Sequence, residues 1–183
     1  MIKLNLKKPL ILLIMNEFLI LFLTGIFSLK VEKVSKFGSP PPPQINPSTS
    51  YSAETNQILV FGGETLGNSV YSSSLYLFDL NNSTWEELVP SSSFTPEGLI
   101  LSRSFMEDQN NLLVFFGRTT KGISSYIYRF DLAKSLWSTV TFFGDQIVSS
   151  IRGGHCLFEH NSTKFFAIFG GITSNGKSED LHL

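Results

Sequence analysis

The stretch Asn56-Gln-Ile-Leu-Val-Phe-Gly-Gly63, followed by Leu75-Tyr-Leu-Phe-Asp-Leu80 and then Trp85, decides the fold. The unbroken apolar run Ile-Leu-Val-Phe suits a strand buried on both faces, and the glycine pair gives it a tight exit where a Cβ would be costly. The second run reads as another strand that ends in Asp79, a short carboxylate able to accept turn N–H groups. The pattern then returns twice. Asn111-Leu-Leu-Val-Phe-Phe-Gly117 leads to Tyr128-Arg-Phe-Asp-Leu132 and Trp137, and Lys164-Phe-Phe-Ala-Ile-Phe-Gly-Gly171 leads to Asp180-Leu-His-Leu183. Asp79 and Asp131 stand 52 residues apart, as do Trp85 and Trp137. Gly62 and Gly117 are 55 apart, and Gly117 and Gly170 are 53 apart.

A recurrence near 50 residues with several short strands per unit predicts the blades of a β-propeller. Strands are expected at residues 49–53, 58–61, 75–80 and 85–89 in the first unit. The second unit repeats them at 100–106, 112–116, 126–132 and 137–142, and the third at 154–158, 165–169 and from 181. The units run over about 45–95, 96–147 and 148–183, the last one truncated. Trp85 and Trp137 are large enough to bury between blades.

Taken together, Phe-Gly-Gly at 61–63 and 169–171, aromatic-x-Phe-Asp at 76–79 and 128–131, the two tryptophans and Arg152-Gly-Gly-His155 resemble the kelch repeat family. The chain is also similar to the propeller domain of galactose oxidase. The resemblance makes Gly62, Gly63, Asp79, Trp85, Gly117, Asp131, Trp137, His155, Gly170 and Gly171 structural positions of the repeat. Two departures stand out. The second unit reads Arg118 where the second glycine belongs, and the first two units lack the Arg…His opening. The expected fold class is all-β: a partial kelch-type β-propeller of two full blades and one truncated blade, preceded by an N-terminal apolar helix.

The resemblance implies a non-catalytic protein-protein interaction module. Its candidate binding loops follow the glycine pairs and carry Leu66, Tyr71, Thr119, Lys121 and Asn175. The alternative is an oxidoreductase or glycan-processing enzyme of the galactose-oxidase-like propeller type. No Gly-rich phosphate loop, Ser-His-Asp signature or paired catalytic carboxylates stand in the sequence, and no catalytic, cofactor or metal residue is assigned. His155 and His160, five apart on a strand, point to opposite faces and so make a poor metal pair. Cys156, the single cysteine, excludes an internal disulfide and reads as a buried thiol. A net charge of -1 gives no reason to expect a nucleic-acid partner. Two full units and a partial one leave a ring unclosed, so the chain is expected to be a fragment of a longer propeller or to self-associate to complete it.

Residues 1–30 are a separate segment. Lys3, Lys7 and Lys8 precede an apolar run over 10–29, long enough as a helix to cross a bilayer, with Asn16-Glu17 near its middle. Two readings stand, a single-pass membrane anchor or a secretory signal peptide, giving membrane or secreted localisation. Lysines flank the run on both sides, so orientation stays open. Residues 31–44 form a Pro-rich linker with polyproline II character. Asn81, Asn82 and Asn161 each begin an N-glycosylation tripeptide in an expected turn.

Overall fold

The computed structural model describes residues 2–7, 11–15, 18–22, 26–31, 37–67, 70–141 and 149–183, which fall into two units, 1–35 and 36–183. In the first unit, β1 (Ile2–Lys7), β2 (Ile11–Met15), β3 (Phe18–Phe22) and β4 (Ile26–Val31) form two antiparallel ladders, β1 with β4 and β2 with β3. The apolar helix expected over 10–29 falls partly on residues outside the described set. The described residues there are strands instead. Runs of Ile, Leu and Phe without a period do not separate helix from strand, and Ile and Phe favour the strand. Among the described residues no helix is long and apolar enough to cross a membrane, a statement that leaves strands aside.

The second unit is built of repeated sheets. β5 (Phe37–Gly38) and β6 (Gln44–Ile45) flank the proline run, which carries no ladder of its own. The first blade orders β7 (Ser48–Ser52), β8 (Gln57–Phe61), β11 (Leu75–Asp79) and β12 (Thr84–Leu88) side by side, antiparallel, with β5 added in parallel to β12. Between β8 and β11 the chain makes a small ladder of β9 (Glu64–Thr65) and β10 (Val70–Tyr71), which β6 extends. The second blade repeats the order as β13 (Arg103–Met106), β14 (Asn111–Phe115), β17 (Ile127–Asp131) and β18 (Leu136–Thr139). Its tip ladder is β15 (Arg118–Thr119) with β16 (Gly122–Ile123). In the third blade, β19 (Gly154–His160), β20 (Thr163–Thr173) and β21 (Gly176–His182) follow the same order, and β20 runs through its glycines with a bulge. The sheets are kelch-like, and among the described residues they do not close a ring.

Cross-strand register corrects one reading of the repeat. Phe61 faces Leu75, Phe115 faces Ile127 and Phe169 faces Leu181, so these three phenylalanines hold one position. Gly63, Gly117 and Gly171 then coincide, each 54 residues from the next, with φ of 97°, 102° and 106°. The departure in the second blade is therefore Phe116, standing in place of Gly62 and Gly170, and not Arg118. Phe116 keeps the left-handed conformation of those glycines, φ 52° against 71° and 63°. The same alignment puts Asn46, Leu101 and Arg152 at one position, all left-handed at φ 53°, 58° and 61°. The first two units lack the family's Arg and His as residue types but keep the backbone opening.

Faces of neighbouring blades make the core. Leu59, Phe61 and Leu75 of the first blade pack against Leu112, Val114, Tyr128, Phe130 and Trp137 of the second. Phe115 and Ile127, on the opposite face of the second blade, pack with Ile168 and Phe166 of the third. Each fully buried large apolar side chain contributes about 1.5–3 kcal/mol of transfer free energy. The seams between blades therefore hold the unit together. The inner strands join them as well: Ser50 Oγ donates to Ser104 Oγ at 2.6 Å.

Candidate protein-binding site

The glycine pairs direct the chain out of each blade at the same edge. At Gly62 and Phe116 the N–H donates back to the third strand's approach, to Ser74 O at 3.1 Å and Tyr126 O at 3.0 Å. At the next residue the carbonyl accepts a loop N–H: Ser72 to Gly63 and Ser124 to Gly117, both 2.8 Å. The loops expected to bind therefore project side by side, each from a rigid exit. Residues 68–69, in the first of them, lie outside the described set.

Within these loops the side chains divide. Leu66 and Lys121 are exposed, as is Asn175, while Tyr71 is half-buried. Thr119 is buried and belongs to the turn itself: its hydroxyl donates to Gly122 O at 3.1 Å and accepts from the Lys121 N–H at 3.0 Å. Thr173, 54 residues on, makes the same pair of bonds with Gly176 and Asn175. Thr119 shapes the loop and offers a partner little surface.

The second loop encloses a cavity of about 220 Å³ lined by Thr119, Lys121, Ser124, Tyr126, Tyr128 and Glu97. Among the lining residues Lys121 Nζ meets Glu97 Oε1 at 2.6 Å, an exposed pair. The hydrogen bond and charge of Glu97 push the Lys121 amine up from its ordinary value. Tyr126 stands 59 % exposed on the rim, its ring 5.8 Å from that of Tyr128. Burial pushes the Tyr128 phenol up, so it stays protonated at neutral pH. The cavity offers aromatic faces, hydroxyls and a neutralised ion pair, a surface suited to a polypeptide side chain.

The repeat residues have structural surroundings. Asp79 accepts from the Asn81 N–H at 2.7 Å, and Asp131 from the Lys134 N–H at 3.0 Å, so both carboxylates tie turns. The Lys134 side-chain bond holds the Asp131 carboxyl below its ordinary value. Trp137 lies 5.0 Å from Phe61 across the first seam, whereas Trp85 rests on Phe78 of its own blade at 4.9 Å. His155 sits edge-on to Phe105 at 5.5 Å; burial first, and the nearby Arg103 second, lower its pKa. Cys156 is exposed and not the buried thiol expected, since among the described residues no blade packs on that face of β19. Asn81, Asn82 and Asn161 are exposed, with the Asn82 amide already bonded to Asp79 at 3.2 Å.

The family model of the KLHDC2/KLHL20/DRC7 Kelch-repeats domain matches residues 15–183. The chain belongs to this kelch-repeat family. Kelch domains are in general non-enzymatic modules that bind protein partners. Sequence reasoning found the kelch loops but missed Glu97, Tyr126 and Tyr128 as a group. Glu97 lies in the connection between blades, and only the fold brings it beside Lys121.

Proposed function

We propose that this kelch-repeat chain is a non-catalytic binding module that grips a protein partner at the edge where the glycine pairs release their loops. The cavity between Lys121, Tyr126 and Tyr128 supports this reading, since it sets the exposed Tyr126 ring beside buried Tyr128 and a mixed polar and apolar lining. Tyr126 supplies the contact area and the Lys121–Glu97 pair sets which side chains are tolerated. Leu66 and Asn175 extend the surface onto the neighbouring tips. The test is capture of a co-purifying protein by the full chain and by Tyr126→Ala, Lys121→Ala and Leu66→Ala variants that unfold at the wild-type urea concentration. Capture weakened about tenfold or more by Tyr126→Ala fits a hot-spot aromatic. Unchanged capture of the same protein moves the site off this edge.

The apolar run over 10–29, behind Lys3, Lys7 and Lys8, supports a membrane tether or a secretory route for the module. A bilayer favours any conformation that satisfies the backbone within the segment. Exposure of the three sequon asparagines fits a lumenal face. Retention of the full chain in carbonate-washed membranes and a mobility shift on deglycosylation test the two statements separately.

A further inference from the structure

Glu97 is the one carboxylate among the described residues that line the cavity of the second tip loop. It stands among aromatic rings. Tyr126 and Tyr128 lie 5.8 Å apart with their planes at 37°, and the Phe94 ring lies 6.5 Å from that of Tyr128. Tyr126 and Phe94 are 59 % and 44 % exposed, so both keep ring surface open to a guest. The Glu97 charge is felt at Tyr128: after burial and the Ser124 hydrogen bond it is the next influence on that phenol, and it acts upward. An aromatic ring carries negative charge density on its faces, which draws cations and repels anions. A carboxylate beside such faces favours a cation twice over.

The chain places one there itself. Lys121 Nζ lies 2.6 Å from Glu97 Oε1, with the two side chains 78 % and 50 % exposed. An exposed pair of this kind is weak, worth about fivefold or less in an equilibrium constant. The Lys121 side chain is also free to leave. The turn that carries it is tied by the Thr119 hydroxyl, which bonds Gly122 O and the Lys121 N–H and nothing of the ammonium. Lys121 is the one cation among the described lining residues, so its departure leaves the cavity anionic.

We propose that the cavity takes an arginine side chain of the partner polypeptide, which displaces Lys121 from Glu97 and stacks on Tyr126. This rests on the reading that a protein partner binds at this edge, and it names the chemistry of the residue inserted. A guest must supply more than Lys121 already does. Arginine does so, because its planar guanidinium can meet a carboxylate with two N–H groups while lying flat on a ring. A lysine from the partner would only repeat the point charge it replaces. Lys121 therefore keeps Glu97 paired in the free chain and sets a threshold that a stacked guanidinium passes.

The test titrates the full chain with short Gly-Ser peptides carrying one central arginine, lysine, alanine or glutamate, read by the methyl resonance of Ile123, a lining residue. The arginine peptide should move that resonance at the lowest concentration. Lys121→Ala should tighten arginine binding about two- to fivefold, since no internal cation then competes. Glu97→Gln should weaken it about tenfold, and Tyr126→Ala about two- to fivefold. All three positions are exposed, so urea midpoints should stay at the wild-type value. Glutamate binding better than arginine, Lys121→Ala weakening arginine, or Glu97→Gln leaving it unchanged overturns the proposal. So does a resonance that no peptide moves up to about 10 mM. Partner capture separates this from the reading beneath it. A co-purifying protein lost by Tyr126→Ala but fully kept by Glu97→Gln strikes the arginine and leaves the edge. One kept by both variants strikes the edge as well.

Discussion

Arg103 donates through Nη1 to the carbonyl oxygen of Ser150 at 2.7 Å, and through Nη2 to that of Gly153 at 3.2 Å, so one buried guanidinium spans the second seam. At the matching place in the first seam a backbone bond makes the link: the Gly63 N–H reaches Leu99 O at 2.8 Å. Phe116 stands at the second seam where the first seam has Gly62. Burial pushes the Arg103 guanidinium down from its ordinary value, yet arginine remains charged, and the two carbonyls compensate it. Arg103→Met should destabilise the second unit by about 2–4 kcal/mol, mostly by stranding two buried carbonyls. Urea unfolding at pH 7 reads this directly. A loss below about 0.5 kcal/mol, the size of an ordinary surface change, would mean the seam does not depend on Arg103.

The two occupants of the first glycine position are not interchangeable. A Cβ on Gly62 falls within clash distance of Leu99 O, and the left-handed backbone adds about 1–2 kcal/mol for any L side chain. Gly62→Ala should therefore destabilise by about 2–4 kcal/mol. Phe116→Gly relieves the same backbone strain but removes a fully buried ring, worth about 3–5 kcal/mol when truncated. It too should destabilise, by about 2–4 kcal/mol net. Denaturant midpoints of the two variants decide it. A Phe116→Gly chain as stable as wild type would show that the ring adds no more than the backbone strain it imposes, about 1–2 kcal/mol.

The sequence showed the blades because each combines an unbroken apolar run, a glycine exit and a strand ending in Asp, and these recur in phase. It misplaced the glycine in the second blade. In Phe115-Phe116-Gly117, one glycine fits either slot, and only the pairing of Phe115 with Ile127 selects the second. Cys156 was misread because burial of a blade face depends on the neighbour and not on the strand's own residues. Arg103 carried no local signal, since its partners lie 47 and 50 residues away. The candidate binding edge was legible as loops. Its cavity was not, because Glu97 reaches Lys121 only through the stacking of blades.

His155 should make stability fall in mild acid. His155 stays exposed on its outer side, and its pKa is lowered in the folded chain chiefly by partial desolvation and then by the charge of Arg103. Below its ordinary value of 6.5 the unfolded chain binds the proton more readily than the folded one. Stability from this residue is thus complete above that value and is lost as pH falls through the lower folded value. Urea midpoints measured from pH 7.5 to pH 5 for wild type and His155→Gln isolate the effect in their difference. The expected result is a gap in favour of wild type that shrinks, or reverses, on acidification. A pH-independent difference would place His155 outside the titration.

The two tryptophans occupy the same register position yet should differ in weight. Trp137 is 4 % exposed and touches Phe61, Phe130 and Tyr128 at ring distances of 5.0, 4.9 and 6.5 Å. Trp85 is half-buried and has Phe78 of its own blade as its ring neighbour. Trp137→Ala should cost about 3–5 kcal/mol, and Trp85→Ala clearly less, since part of its surface is already wet. Trp137→Phe should recover most of the loss. The phenyl ring keeps the contact with Phe61, and the indole N–H it removes has no acceptor among the described residues. Each single-tryptophan variant also reports by its own fluorescence, Trp137 from the first seam and Trp85 from the first blade. Equal losses for the two alanine variants would mean that the seam between blades contributes no more than packing within one blade.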